Sequence, residues 1–329
     1  MRALLGIVLA VAGLWAGYWW VGSTAVERGA VDWFAAQEAQ GLTARNGGIA
    51  VAGFPNRFDL TVTAPELANP AQGIGWSAPF AQVFAMTWKP WHLIAALPQT
   101  QVITLPDQSV TVTSTLMMGS LLLHPGTAMA LNETRIEASG LGLTSDQGWA
   151  LTVAQVNAST LEEETRANAH RLGLSVKEVV LGDVLAQAVA SADVPAQIDR
   201  LHLDAHALLS APLDRHAGET HPALTGLELA DASLIWGPLR LSAKGALTAD
   251  DTGSAEGEIA IRINGWRHLP PLLVALGAVK PQLAPTIERA LEVMAQGSTD
   301  PDLLEVVLKC ADGRMMLGPL PLGPTPRLN

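Results

Sequence analysis

The sequence predicts a mainly β protein with a few helices: an N-terminal transmembrane helix, then a large curved antiparallel β-sheet domain with accessory helices. Three observations carry this. Residues 3–21 carry no charge and are dominated by Leu, Val, Ala and Trp. From Leu42 onward, β-branched and small residues alternate with polar ones between Gly, Pro, Asn and Asp turns, as strands do. Helical spacing returns late, in two short stretches between residues 269 and 297.

The run from Ala3 to Val21 comes first. At ~1.5 Å per residue its helix reaches most of the way across a ~30 Å hydrocarbon layer. Tyr18, Trp19 and Trp20 stand at its far end, where amphipathic rings prefer the membrane–water interface. A cleaved signal peptide has a shorter apolar core and small residues at its cleavage site. Gly22 to Ala25 would supply small residues, but the core is long and bulky Trp lies just before them. The run is therefore read as an uncleaved anchor (residues 1–22). Arg2 precedes it and Glu27 is the first charge after it, so the amino terminus stays in the cytoplasm. The expected location is the inner membrane, single-pass through residues 3–21, with the C-terminal domain periplasmic. Cys310 is the single cysteine of the 329 residues, so stability must come from a packed core rather than an intrachain disulfide.

Ser23 to Gln40 continues as a juxtamembrane helix (residues 23–41), with Val26, Ala30, Trp33, Phe34 and Gln37 near helical spacing and Gly41 as C-cap. A first β-rich half follows (residues 42–160). Its strands are read at Gly48–Gly53, Arg57–Ala64, Phe80–Trp88, Gln99–Leu105, Ser109–Leu123, Arg135–Leu143 and Ala150–Ala158. Residues 161–195 form a mixed seam. Val184 to Ala192 looks helical there, while Leu172, Leu174 and Val176 alternate as a strand would.

The second β-rich half (residues 196–329) has strands at Ile198–Leu209, Gly226–Ile235, Leu239–Leu247, Ser254–Ile263, Leu303–Cys310 and Arg314–Leu317, the last two joined by an Asp312-Gly313 turn. Its helical insertion has Ile287, Ala290, Leu291 and Met294 on one face and Gly297 as C-cap. Gly318 to Pro326 is read as an extended tail.

With 49% hydrophobic and 16% charged residues, the chain is neither disordered nor basic. A net charge of −11 disfavours nucleic acid as a partner. The motifs of common enzymes are missing: no GxSxG, no phosphate-binding glycine loop, no HExxH and no cysteine pair. The weak metal candidates are His202, Asp204 and His206, which share one face of a strand over Leu201–Leu208. They are read as a solvated polar face, with no metal, no cofactor and no enzymatic activity expected. A metal-dependent hydrolase built on His202 and His206 is the minor alternative.

The apolar surplus instead points to lipid handling or envelope assembly, with an interaction or scaffold role as the alternative. Lipid or other envelope proteins are then the partners. A candidate apolar groove is lined by Leu239, Leu241, Ile259, Ile261 and Ile263. The helix at Ala284–Gln296 would either plug it or cover the opposite side. The plug is preferred, because an open groove must be wetted whenever it is empty.

The most distinctive string is Gly53-Phe54-Pro55-Asn56-Arg57-Phe58-Asp59-Leu60. Gly53 admits an unusual dihedral, Pro55 fixes φ, and Arg57 and Asp59 share one strand face. Its residues are read as structural. This string, the Ile235-Trp236-Gly237-Pro238-Leu239 turn and the closing Leu317-Gly318-Pro319 resemble DUF2125, a family of uncharacterised bacterial envelope proteins. The resemblance implies an exported, anchored chain and supplies no activity or catalytic residue. In texture alone, the second half is similar to AsmA-type envelope proteins, which are associated with lipid handling.

Overall fold

The computed structural model describes residues 1–296 and 300–328. Helix α1 (Arg2–Ala39) is continuous through 38 residues, so the apolar run and the juxtamembrane helix form one rod of about 57 Å. No Pro interrupts it, and helical hydrogen bonding continues from one expected segment into the other. It is the one helix among the described residues that is long and apolar enough to cross a membrane.

The strands are β1 (Thr43–Arg45), β2 (Gly48–Ala52), β3 (Arg57–Thr63), β4 (Glu66–Asn69), β5 (Ile74–Ser77), β6 (Phe80–Met86), β7 (Lys89–Ala96), β8 (Thr100–Leu105), β9 (Gln108–Thr113) and β10 (Leu116–Leu123). Longer ones follow: β11 (Leu131–Ser145), β12 (Ala150–Glu162), β13 (Ala169–Leu181), β14 (Gln197–Leu209), β15 (Leu224–Trp236), β16 (Leu239–Ala249), β17 (Ala255–Asn264), β18 (Leu303–Ala311), β19 (Arg314–Leu317) and β20 (Leu320–Pro324). They form one open antiparallel sheet of 20 strands. From β11 onward each strand pairs with the next in sequence.

The first half follows the same plan once its short strands are joined in pairs. β1 with β2 and β3 with β4 are halves of two longer strands, and Thr43↔Ala68 and Gly48↔Thr63 continue a single register. Likewise Glu66↔Ser77 continues Arg57↔Met86. A crease runs across the sheet between the halves. Pro65, Pro79 and Pro98 lie on it and lack the amide hydrogen a ladder needs. Ala64, Gly140 and Glu178 lie on it with φ of 44°, 58° and 52°, and a residue in that region turns its strand. Backbone pairing survives the turn, as in Ala64 N–H to Pro79 O at 2.8 Å and Thr115 N–H to Ser139 O at 2.9 Å.

Several expectations change. Ser109–Leu123 is two strands, not one, because the crease passes through Ser114 and Thr115. The seam is mixed as expected, with strand β13 running through Leu172, Leu174 and Val176 and the short helix α2 (Asp183–Val189) after it. Residues 320–324 are not a free tail; they pair with β19. The Gly297 C-cap lies outside the described residues. Helices α3 (Ala217–Thr220), α4 (Leu269–Ala275) and α5 (Ala284–Ala295) complete the chain.

Helices cover the two ends of one sheet face. At the first end, Phe34 of α1 packs with Ala44 and Val62, backed by Ile49, Leu60 and Leu67. At the other, Leu272 of α4 and Leu291 and Ala295 of α5 form a core with Trp236, Leu239, Ile263, Trp266, Leu304 and Val306. The main helix contacts fall on β1–β3, β12, β13 and β18, which leaves β5–β11 without a substantial helical cover.

Candidate functional site: an apolar trough

Register assigns each side chain to a face, because residues directly opposite in a ladder share one. One row runs Leu60, Val83, Ala95, Gly119, Ile136, Ala158, Leu174, Leu203, Ala232, Ala243, Ile261 and Val306. Every member is apolar. The adjacent row on the other face runs Thr61, Gln82, Ala96, Met118, Glu137, Asn157, Ser175, His202, Ser233, Ser242, Arg262 and Glu305, and is largely polar. At ~4.8 Å per strand the apolar row extends roughly 50 Å, about three times the depth of one leaflet's hydrocarbon.

The crease turns this face into a trough. Beyond it, Ala44, Leu67, Trp76 and Ile103 are aligned by register on the second flank. The flanks meet at the bottom: the buried amide of Gln101 accepts from Trp76 Nε1 at 2.8 Å and its own Nε2 reaches Met117 Sδ at 3.1 Å. Val110, Val112 and Ala138 are buried there, on strands without substantial helix contacts. Pro65, Leu67, Trp76, Pro79 and Gln101 also border a cavity of about 770 Å³ at the crease.

The groove expected at Leu239, Leu241, Ile259, Ile261 and Ile263 is not open where those residues lie nearest α5. Leu239 and Ile263 belong to the core that Leu291 completes, and Leu241, Ile261, Ile287 and Met294 pack against it. The helix is the plug. Ile259 packs instead with Leu247, Ala255 and Cys310. The open stretch is the part of the same row around Ile136, which is 47% exposed. Sequence reading missed it, because Ala, Gly and Thr dilute those strands.

His202, Asp204 and His206 lie on the opposite, polar face, and each has a separate partner. Arg171 binds Asp204 through two hydrogen bonds, at 2.8 and 2.7 Å. His206 Nδ1 contacts Glu163, and Glu163 also accepts from Arg166 at 2.8 Å. His202 stands 3.9 Å from Asp231. The Arg171 guanidinium holds the Asp204 carboxyl below its ordinary range. Among the described residues no three His, Cys, Asp or Glu side chains converge as metal ligands.

The Gly53–Leu60 string grips α1. Trp15 Nε1 donates to Pro55 O at 3.0 Å, Trp19 Nε1 to Arg57 O at 2.7 Å, and Tyr18 Oη to Thr87 O at 2.6 Å. Phe58 is buried with its ring 6.3 Å from Trp19 and 6.5 Å from Tyr18. A Cβ on Gly22 would sit 2.5 Å from that ring, so the helix approaches closest at a residue without a side chain. Gly53 has φ of 100° and Arg57 pairs with Asp59 at 2.7 Å. The string therefore ties the sheet to the aromatic end of the apolar run.

The family model for DUF2125, uncharacterized protein conserved in bacteria, matches residues 19–326. The chain belongs to this family. The match begins at Trp19, within the gripped segment, and runs through the whole sheet. No curated protein and no solved structure matches the chain.

Proposed function

We propose that this DUF2125 protein is anchored in the inner membrane by residues 3–21, holds its sheet in the periplasm, and handles lipid without catalysing a reaction. One observation carries the reading: the unbroken apolar row from Leu60 to Val306, without substantial helical cover where it crosses β6, β7, β10 and β11. Apolar surface of that extent is costly in water and marks a site for an apolar partner. Each acyl methylene seated there contributes about 0.8 kcal/mol. The polar opposite face and the net charge of −11 keep the sheet soluble on its other side. Arg2 before the run and Glu27 after it favour the orientation.

The exit of a bound chain is limited at the far end by α5, and at the near end the trough begins beside α1. A lipid taken from the anchor's bilayer would reach the row past Phe34 of α1, which packs over its first end.

Native mass spectrometry of the full chain, released from detergent, tests this. The chain should retain phospholipid masses, and Ile136→Asp should lower their occupancy. A chain that emerges bare, or an occupancy indifferent to Ile136, overturns the reading.

A further inference from the structure

The turns at the α1 end of the sheet carry exposed aromatic side chains, with the Phe54 ring edge-on to Trp19 at 5.5 Å. Phe54 in the β2–β3 turn and Trp88 in the β6–β7 turn are each 57% exposed, with Met86 42% exposed beside Trp88. A buried core has no use for them. Their height along α1 is fixed from two sides. Trp15 and Trp19 donate to Pro55 and Arg57, on either side of the first turn's end. Tyr18 donates to Thr87, the neighbour of Trp88. Both tips are thus level with residues 15–19 of the helix, which include Tyr18 and Trp19 of the aromatic belt.

We infer that the β2–β3 and β6–β7 turns seat Phe54 and Trp88 in the phospholipid headgroup interface of the bilayer that α1 crosses. The inference rests on α1 being an anchor, and is independent of whether the trough carries lipid. Continuity with the belt is what names the occupant. Trp15 and Trp20 are 38% and 67% exposed on the same stretch of helix, so the two turns extend one aromatic collar around it. Aromatic rings of this kind settle at headgroup depth, and an indole with its N–H free suits that layer best. The opposite turns differ. Gly73 and Pro106, which lie against each other, mark the far ends of β4–β5 and β8–β9. Ile74 at that end is also exposed, at 45%, yet sits across the crease from the belt. A seat at one end only holds β2, β3, β6 and β7 upright on the membrane, alongside α1.

The test is spin labelling of the full chain in vesicles of phosphatidylethanolamine and phosphatidylglycerol. Labels go on Trp88→Cys, Phe54→Cys, Ile74→Cys and Leu9→Cys, with the unsubstituted chain as background for buried Cys310. Collisions with dissolved oxygen are compared with those of a water-soluble nickel complex. The inference expects the ratio of oxygen to nickel collisions to be highest at position 9, intermediate at 88 and 54, and lowest at 74. Trp88 decides if Phe54→Cys disturbs the grip on α1. Oxygen dominant at 9 with a ratio at 88 no higher than at 74 overturns the seat and leaves the anchor standing. Nickel at 9 overturns both.

Discussion

The Nε1 of Trp19 donates to the backbone carbonyl of Arg57 across 2.7 Å, joining the end of the apolar run to the start of β3. Phe58, the next residue, lies 5% exposed against the same helix. The string that sets this sequence apart is thus a clasp between helix and sheet. Phe58→Ala should cost about 3–5 kcal/mol, the usual price of emptying a buried aromatic site. Thermal melting of the full chain in detergent checks it, and membrane retention should be unchanged. Arg57→Ala removes a half-exposed ion pair and should cost no more than ~1 kcal/mol.

Gly53→Val tests the turn itself. A Cβ at this position would stand 2.8 Å from Arg57 O, and φ is 100°, where β-branched residues are strained. A loss of about 1–3 kcal/mol is expected. Melting like that of the unsubstituted chain would show that the turn relaxes freely.

The plugged and open parts of the row should respond oppositely to charge. Ile261 packs on the core completed by α5, whereas Ile136 is 47% exposed in the uncovered middle. Ile261→Asp leaves a carboxylate without a partner in that core and should cost about 3 kcal/mol or more. Ile136→Asp should fold with little change. Urea unfolding of both variants distinguishes them, and equal losses would mean that the middle is also packed.

His170 gives the sheet a pH dependence. It is 4% exposed, and burial lowers its pKa from the ordinary 6.5 despite the nearby Glu162 and Glu163 carboxylates. The fold therefore prefers neutral imidazole, while the unfolded chain takes up a proton near the ordinary value. The stabilisation is complete above 6.5 and is lost as pH falls from there through the lowered folded value. Melting followed downward from neutral pH should show this slope, and His170→Gln should flatten it. An identical slope in both chains would contradict the assignment.

How much of this was legible depended on where helices lie. Phe58, Leu60 and Val62 in β3, and Ile259, Ile261 and Ile263 in β17, alternate cleanly because a helix packs on each strand and demands bulk. For the same reason the cleanest alternation pointed to the covered end of the row. The open middle uses Ala95, Gly119 and Ala158, which read as weak strands. Its continuity needs the registers of twelve strands, and no local window holds those. The crease was hidden too. Ala64 and Glu178 adopt positive φ although neither residue type favours it, and Leu116–Leu123 after Ser114 is too evenly apolar to show a break. Strands of four residues, such as β4 and β5, are too short to show a period.

Neighbouring residues on opposite faces provide the most direct test that the trough holds lipid. Ile136 belongs to the apolar row and Glu137 to the polar one, with both exposed and on the same strand. A photo-crosslinking amino acid placed at each position in living cells, followed by mass spectrometry of the adducts, compares the two faces directly. Phospholipid adducts at position 136 and none at 137 are the predicted result. Equal adducts at both, or none at 136 while the chain is folded and membrane-bound, would contradict it.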